Sequence, residues 1–295
     1  MMVKVTPAFV QPKRLPNRSK DMRLVIGLAV AAISVSSVCA QDAHEIVRKS
    51  VELDQANWLR MKDYTWMAHE TERNLDSKGA VKSEKRETWE TLVLYGQPHR
   101  RLLERDGQPL PPDDQRKEQA KLDKVAAKLE HETPEQRQHR VTEYEKRREK
   151  DRDFLREVTD LYDFDMEGDQ QVDGHAAWVI SATPKPGYQP KHGDAKPLLK
   201  IRGKIWIDKA EYQWVRLEAE TTDTISYGLF IARLNPGAKL VFEQTRVNDE
   251  IWLPKRESVS GSGRLGLLKK ISMQQELVWS DYRKFQVESK VVATQ

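Results

Sequence analysis

Between Lys200 and Glu220 the chain reads KIRGKIWIDKAEYQWVRLEAE, and apolar and polar residues alternate along it on both sides of a short polar break. A period of two is the mark of half-buried antiparallel strands, so this stretch commits the chain to a sheet. With a turn about Ala210, the aliphatic odd positions Ile205, Ile207, Val215 and Leu217 share one face. Trp206 and Trp214 then become cross-strand neighbours on the other. The sheet is expected to carry apolar side chains on both faces.

Further strands follow the same logic. Residues 63–74 and 82–95 flank Asp76-Ser77-Lys78-Gly79 and read as a first hairpin, with a third strand over 99–105. Ala176–Ala182 is a strand entered through the turn Val172-Asp173-Gly174-His175, and a proline-rich loop leads from it to the central hairpin. Residues 239–247 and 251–260 meet at Asn248-Asp249, a dipeptide suited to a tight hairpin. Pro254 inside the second of these requires an edge or a bulge. Residues 270–285 close the sheet, whereas 221–234 fit either a strand or a short helix.

Helices frame these strands. Ala43, Ile46, Val47, Ser50 and Leu53 form a narrow stripe at helical spacing over residues 42–61. From Pro111 to Glu157 the chain is almost continuously charged, with acids and bases near balance. Leu122, Val125, Ala126 and Leu129 give one slim helix face. Thr133-Pro134-Glu135-Gln136 supplies a cap, a first-turn proline and a capping-box glutamine for a second helix. Pairs such as Asp113/Lys117 and Glu143/Arg147 are expected on the exposed faces. The expected fold is α+β: a curved, open antiparallel β-sheet, an unclosed barrel, with an N-terminal helix and an inserted, charged helical hairpin over 111–157.

Basic KRLPNRSKDMR runs into the uncharged LVIGLAVAAISVSSVCA, which has the n-, h- and c-regions of a secretory signal peptide over residues 1–40. The apolar run is short of the ~20 residues a membrane span needs. Met22 offers a second start for the same leader. Cys39, the chain's one cysteine, follows Val38 rather than a small residue, which favours plain cleavage after Ala40 over lipid attachment. Export to the periplasm, and a single domain over 41–295 without a disulfide, are the expectations.

The charge balance is +4 and evenly spread, without the clustered basic face that nucleic acid requires. Seven histidines lie scattered, with no zinc spacing, and the acids at 163–169 miss the glutamate that a calcium loop needs at its twelfth place, which here is Gly174. No G-x-S-x-G and no phosphate-cradling loop occur. The expectation is a non-enzyme with no cofactor and no metal. Eight tryptophans stand out instead. Trp66, Trp89, Trp178, Trp252 and Trp279, with Phe242 and the aliphatic face of Ile205, Ile207, Val215 and Leu217, are the candidate lining of an apolar concavity fit for acyl chains.

The run Gly203-Lys-Ile-Trp-Ile-Asp208, then Trp214-Val-Arg-Leu-Glu218, Asn248-Asp-Glu-Ile-Trp-Leu-Pro254 and Ser280-Asp-Tyr-Arg-Lys-Phe285 resembles the β portion of the outer-membrane lipoprotein-sorting superfamily of LolA, LolB and RseB. The likeness covers residues 172–285. It implies an unclosed barrel wrapped around helices, with a hydrophobic cavity for acyl chains. The charged 111–157 segment departs from that pattern. Two functions are compatible with it: a periplasmic lipid or lipoprotein carrier in transient contact with a membrane, or an envelope sensor that meets a protein partner through 111–157.

Overall fold

The computed structural model describes residues 42–284 except 96, 151–152, 228–231 and 267–268. The expected signal peptide and Cys39 lie outside the described residues. Helix α1, Ala43–Arg60, begins where Asp42 accepts a hydrogen bond from the His44 N–H at 3.0 Å. Ala43, Ile46, Val47 and Ser50 are buried as the spacing predicts. Leu53 is not: it lies at the margin of the stripe, 36% exposed, and Asp54 takes the next buried position.

Strands β1 (Tyr64–Leu75), β2 (Val81–Leu94), β3 (Gln97–Arg105) and β4 (Gln108–Pro109) form an antiparallel run. Helices α2 (Pro112–Glu130), α3 (Pro134–Lys150) and α4 (Asp153–Leu161) follow. The chain then builds β5 (Tyr162–Val172), β6 (His175–Pro184), β7 (Ile201–Asp208) and β8 (Trp214–Thr221). The short β9 (Ile225–Tyr227) and β10 (Ala232–Leu234) settle the ambiguous segment as strand, with 228–231 outside the described residues. β11 (Lys239–Val247), β12 (Ile251–Leu265) and β13 (Lys269–Lys284) complete the set.

All pairings are antiparallel, in the order β4-β3-β2-β1-β13-β12-β11-β8-β7-β6-β5, and the sheet is not closed into a barrel. Register shifts in six of the twelve pairings among the described residues bend it, as an unmatched residue on one strand does. Asn248 and Asp249 both have positive φ, 51° and 53°, as a primed hairpin turn demands. Pro254 sits at the β11–β12 register shift and outside the β12–β13 pairing, which begins at Arg256, so the expected bulge is there. The 163–169 segment considered for calcium is strand β5.

The central hairpin departs from strict alternation. Ile205 opposes Leu217 and Trp206 opposes Arg216, but Ile207 opposes Trp214, so Val215 is the extra residue of a bulge. One inserted residue reverses the side-chain order beyond it. Trp214 therefore joins Ile205 and Ile207 on the face that α1 covers, here called the inner face. Val215 turns to the opposite face, among Ala177, Val179, Trp206 and Trp252. The expected pairing of Trp206 with Trp214 is corrected accordingly.

In the charged segment the capping box forms as read: the Thr133 N–H donates to Gln136 Oε1 at 3.0 Å and the Gln136 N–H to Thr133 Oγ1 at 3.2 Å. The ion pairs fall at i+3 instead of i+4: Asp113 with Arg116, Asp114 with Lys117 at 2.8 Å, and Glu143 with Lys146 at 3.1 Å. Both spacings bring side chains within reach, and such exposed pairs contribute only tenths of a kcal/mol.

α2 packs on β3, and α3 is rooted at the end of α1 by Arg148. The Arg148 guanidinium is buried, donates to the Trp58 carbonyl at 2.6 Å and lies 4.8 Å from the Trp58 ring centroid. A buried cation on a helix-end carbonyl and an aromatic face contributes about 2 kcal/mol. Arg148→Ala should therefore speed amide exchange across α3 without changing exchange in the sheet. Unchanged exchange across α3 would show that the helix is held by something else.

Candidate functional site

An apolar chamber of about 300 Å³ lies between α4 and the inner face of the sheet. Its floor is made by two cross-strand rows. Ile205, Leu217 and Phe242 oppose one another on β7, β8 and β11. One step along, Ala182, Gly203, Ala219 and Leu240 do the same from β6 to β11. The second row supplies the space, because three of its four members are small. A Cβ on Gly203 would meet the Glu218 carbonyl oxygen at 2.8 Å, so the backbones approach there as only glycine permits.

Leu155 and Val158 of α4 form the roof, and Tyr162 closes one end. The Tyr162 hydroxyl lies 2.8 Å and 3.0 Å from the carbonyl oxygens of Leu198 and Ile201, and burial pushes its pKa far up, so it stays a neutral donor. A narrower extension of about 90 Å³ runs under α1, between Val47, Val51 and Ile207, and shares Ile205, Trp214 and Leu217 with the main chamber. The Trp214 Nε1–H donates to the buried Asp54 at 2.5 Å, which fixes the indole between the two spaces. Phe242 sits 5.5 Å from Trp214 and 6.4 Å from Trp279, ring centroid to ring centroid.

The roof is clamped by one carboxylate. Glu157, 3% exposed, accepts from the Lys191 N–H at 2.5 Å, the His192 N–H at 3.2 Å and the Tyr188 hydroxyl at 3.1 Å. Burial by itself would raise this carboxyl, but the two backbone N–H groups and the phenol outweigh it and hold the pKa below the ordinary carboxylate value. α4 is thereby pinned to the proline-rich loop that follows β6.

Of the residues singled out from sequence, Ile205, Leu217 and Phe242 line the chamber and Ile207 lines its extension. Trp279 stands behind Phe242. Trp178 is on the inner face but packs on Tyr212, at 5.1 Å between centroids. Val215 and Trp252 are buried on the opposite face, Trp66 packs with Tyr64 and Tyr282, and Trp89 lies beneath Arg100 on β2. The sequence reading overlooked Ala182, Gly203, Ala219 and Trp214. The first three are small residues without a signal of their own, and Trp214 was hidden by the bulge.

Among the described residues no group of three or more His, Cys, Asp or Glu is placed to hold a metal ion, and no helix is long and apolar enough to cross a membrane. No protein-family model matches the chain, and no curated protein matches it. Several solved structures do. An outer membrane lipoprotein-sorting protein domain from Vibrio parahaemolyticus is 13% identical, with 82% of this chain and 94% of that one covered and a TM-score of 0.34. A LolA superfamily protein from Nitrosomonas europaea is 12% identical over 86% and 97%, with a TM-score of 0.28. The MucA/MucB complex of Pseudomonas aeruginosa contains a chain 10% identical over 83% and 99%, with a TM-score of 0.24. All three TM-scores lie below 0.5, so the likeness carries neither cargo nor partner across to this chain. The fold itself is α+β, an open antiparallel sheet with helices, as the sequence leads one to expect.

Proposed function

We propose that the protein is an exported, non-catalytic carrier that holds an acyl chain of a lipid or lipoprotein in the chamber beneath α4. The observation that supports this reading is the chamber itself: about 300 Å³ of space walled by Ile205, Leu217, Phe242, Leu155 and Val158, at the low end of the sizes that ligand pockets take. Each methylene moved from water into it contributes about 0.8 kcal/mol, so eight give roughly 6 kcal/mol before the cost of association. Binding then needs no specific polar contact. Protein purified from a membrane-containing cell should yield extractable lipid at close to one molecule per chain. A lipid-free protein that also ignores aliphatic probes would refute the reading.

The exposed faces of α2 and α3 support a second role, as a surface for an envelope protein partner. That role would add to the first. Deleting residues 112–150 should leave acyl-chain binding in place and abolish partner capture.

A further inference from the structure

The inner face does not stay apolar beyond the chamber. Glu257 on β12 lies directly across from Phe242 on β11, and Leu277 on β13 flanks it on the other side. Opposed residues of antiparallel strands share a face, so Leu217, Phe242, Glu257 and Leu277 form one row leading out of the chamber wall. Glu257 is the first charged residue that a chain leaving the chamber along this row would meet.

Its situation differs from that of the acids farther along. Glu70, across from Leu277, accepts from Gln275 Nε2 at 2.6 Å and has Arg100 at 3.8 Å. Glu87, beyond it, has Lys85 at 2.9 Å. The nearest arginine in sequence, Arg256, points to the opposite face and pairs there with Glu276 at 2.7 Å. Glu257 is half-buried and has neither a hydrogen bond nor an ion pair with any described residue. Burial among Phe242, Leu277 and their neighbours raises its pKa above the ordinary carboxylate value, as expected of an acid whose countercharge is missing.

We propose that Glu257, next to Phe242 in the row that leads out of the chamber wall, meets the polar end of a bound chain and selects amphiphiles whose aliphatic chain ends in an ammonium group over those ending in a carboxylate. This rests on the carrier reading of the chamber. An ammonium group beside Glu257 would gain a charge-assisted hydrogen bond in partly desolvated surroundings, whereas a carboxylate would meet repulsion or force the acid to protonate.

The test is competition for the chamber by dodecylamine, dodecanol and dodecanoate, each below its micellar concentration, against a fluorescent aliphatic probe at neutral pH and low salt. The wild-type protein should bind the amine about tenfold more tightly than the carboxylate, with the alcohol between them. Glu257→Gln, nearly isosteric, should bring the three within about twofold, and Glu257→Lys should reverse the order. Equal affinities in the wild-type protein, a preference for carboxylate, or an amine preference that survives Glu257→Gln would overturn the head-group assignment and leave the carrier reading standing. Failure of all three probes to compete would instead bring down the carrier reading itself.

Discussion

Replacing Ala219 with tryptophan is expected to abolish acyl-chain binding while the sheet stays intact. Ala219 stands in the row of small residues that opens the chamber, opposed by Gly203 on one side and Leu240 on the other. An indole there projects into space that no other side chain occupies. If it displaces about five methylenes of a bound chain, the loss is roughly 4 kcal/mol, or about a thousandfold in affinity. Overpacking a filled core destabilises, but filling a void commonly stabilises, by about 0.5–2 kcal/mol. The melting temperature should therefore hold or rise as affinity collapses. Lys204→Trp, on the opposite face of β7 where Lys204 pairs with Glu167, should leave binding as it was. A probe that binds Ala219→Trp as well as it binds the wild type has its site elsewhere.

The second large effect is expected at Glu157. Glu157→Ala leaves the N–H groups of Lys191 and His192 and the Tyr188 hydroxyl without their acceptor, which costs about 2–3 kcal/mol. The loss falls on the attachment of α4, so a bound chain should leave roughly thirtyfold faster or more, and α4 amides should exchange faster than those of α1. The pH dependence has a definite sign. Because the folded-state pKa of Glu157 lies below its unfolded value, the clamp is at full strength above the ordinary carboxylate pKa and weakens as pH falls through that range toward the depressed one. Acid should loosen α4 in the wild-type protein, and Glu157→Gln should flatten that part of the profile. An off-rate in Glu157→Ala equal to the wild-type value would show that α4 does not guard the chamber.

Much of this architecture is legible in the sequence, for reasons that particular residues make plain. The alternation at 201–207 and 216–220, the turn at Asn248-Asp249 and the capping box at Thr133 and Gln136 are local rules with local signatures, and the structure follows each of them. The bulge at Val215 is not legible. One inserted residue leaves Leu217 and Ala219 on the face that alternation gives them and exchanges only the faces of Trp214 and Val215. It moved Trp214 into the chamber wall and Val215 out of it. Nor does any local pattern announce that β1, near the start of the described chain, pairs with β13 at its end. The tryptophans drew attention because they are large, whereas the chamber exists because Ala182, Gly203 and Ala219 are small. A cavity is made by side chains that are missing, and composition records only those that are present.

The central claim is that the space beneath α4 is kept for a hydrocarbon guest. Native mass spectrometry of the protein taken directly from cells tests it most directly. The account predicts the wild-type chain carrying one aliphatic ligand, and the Ala219→Trp chain, equally folded, carrying none. A wild-type spectrum of bare protein, from cells whose membranes offer every common lipid, would contradict it.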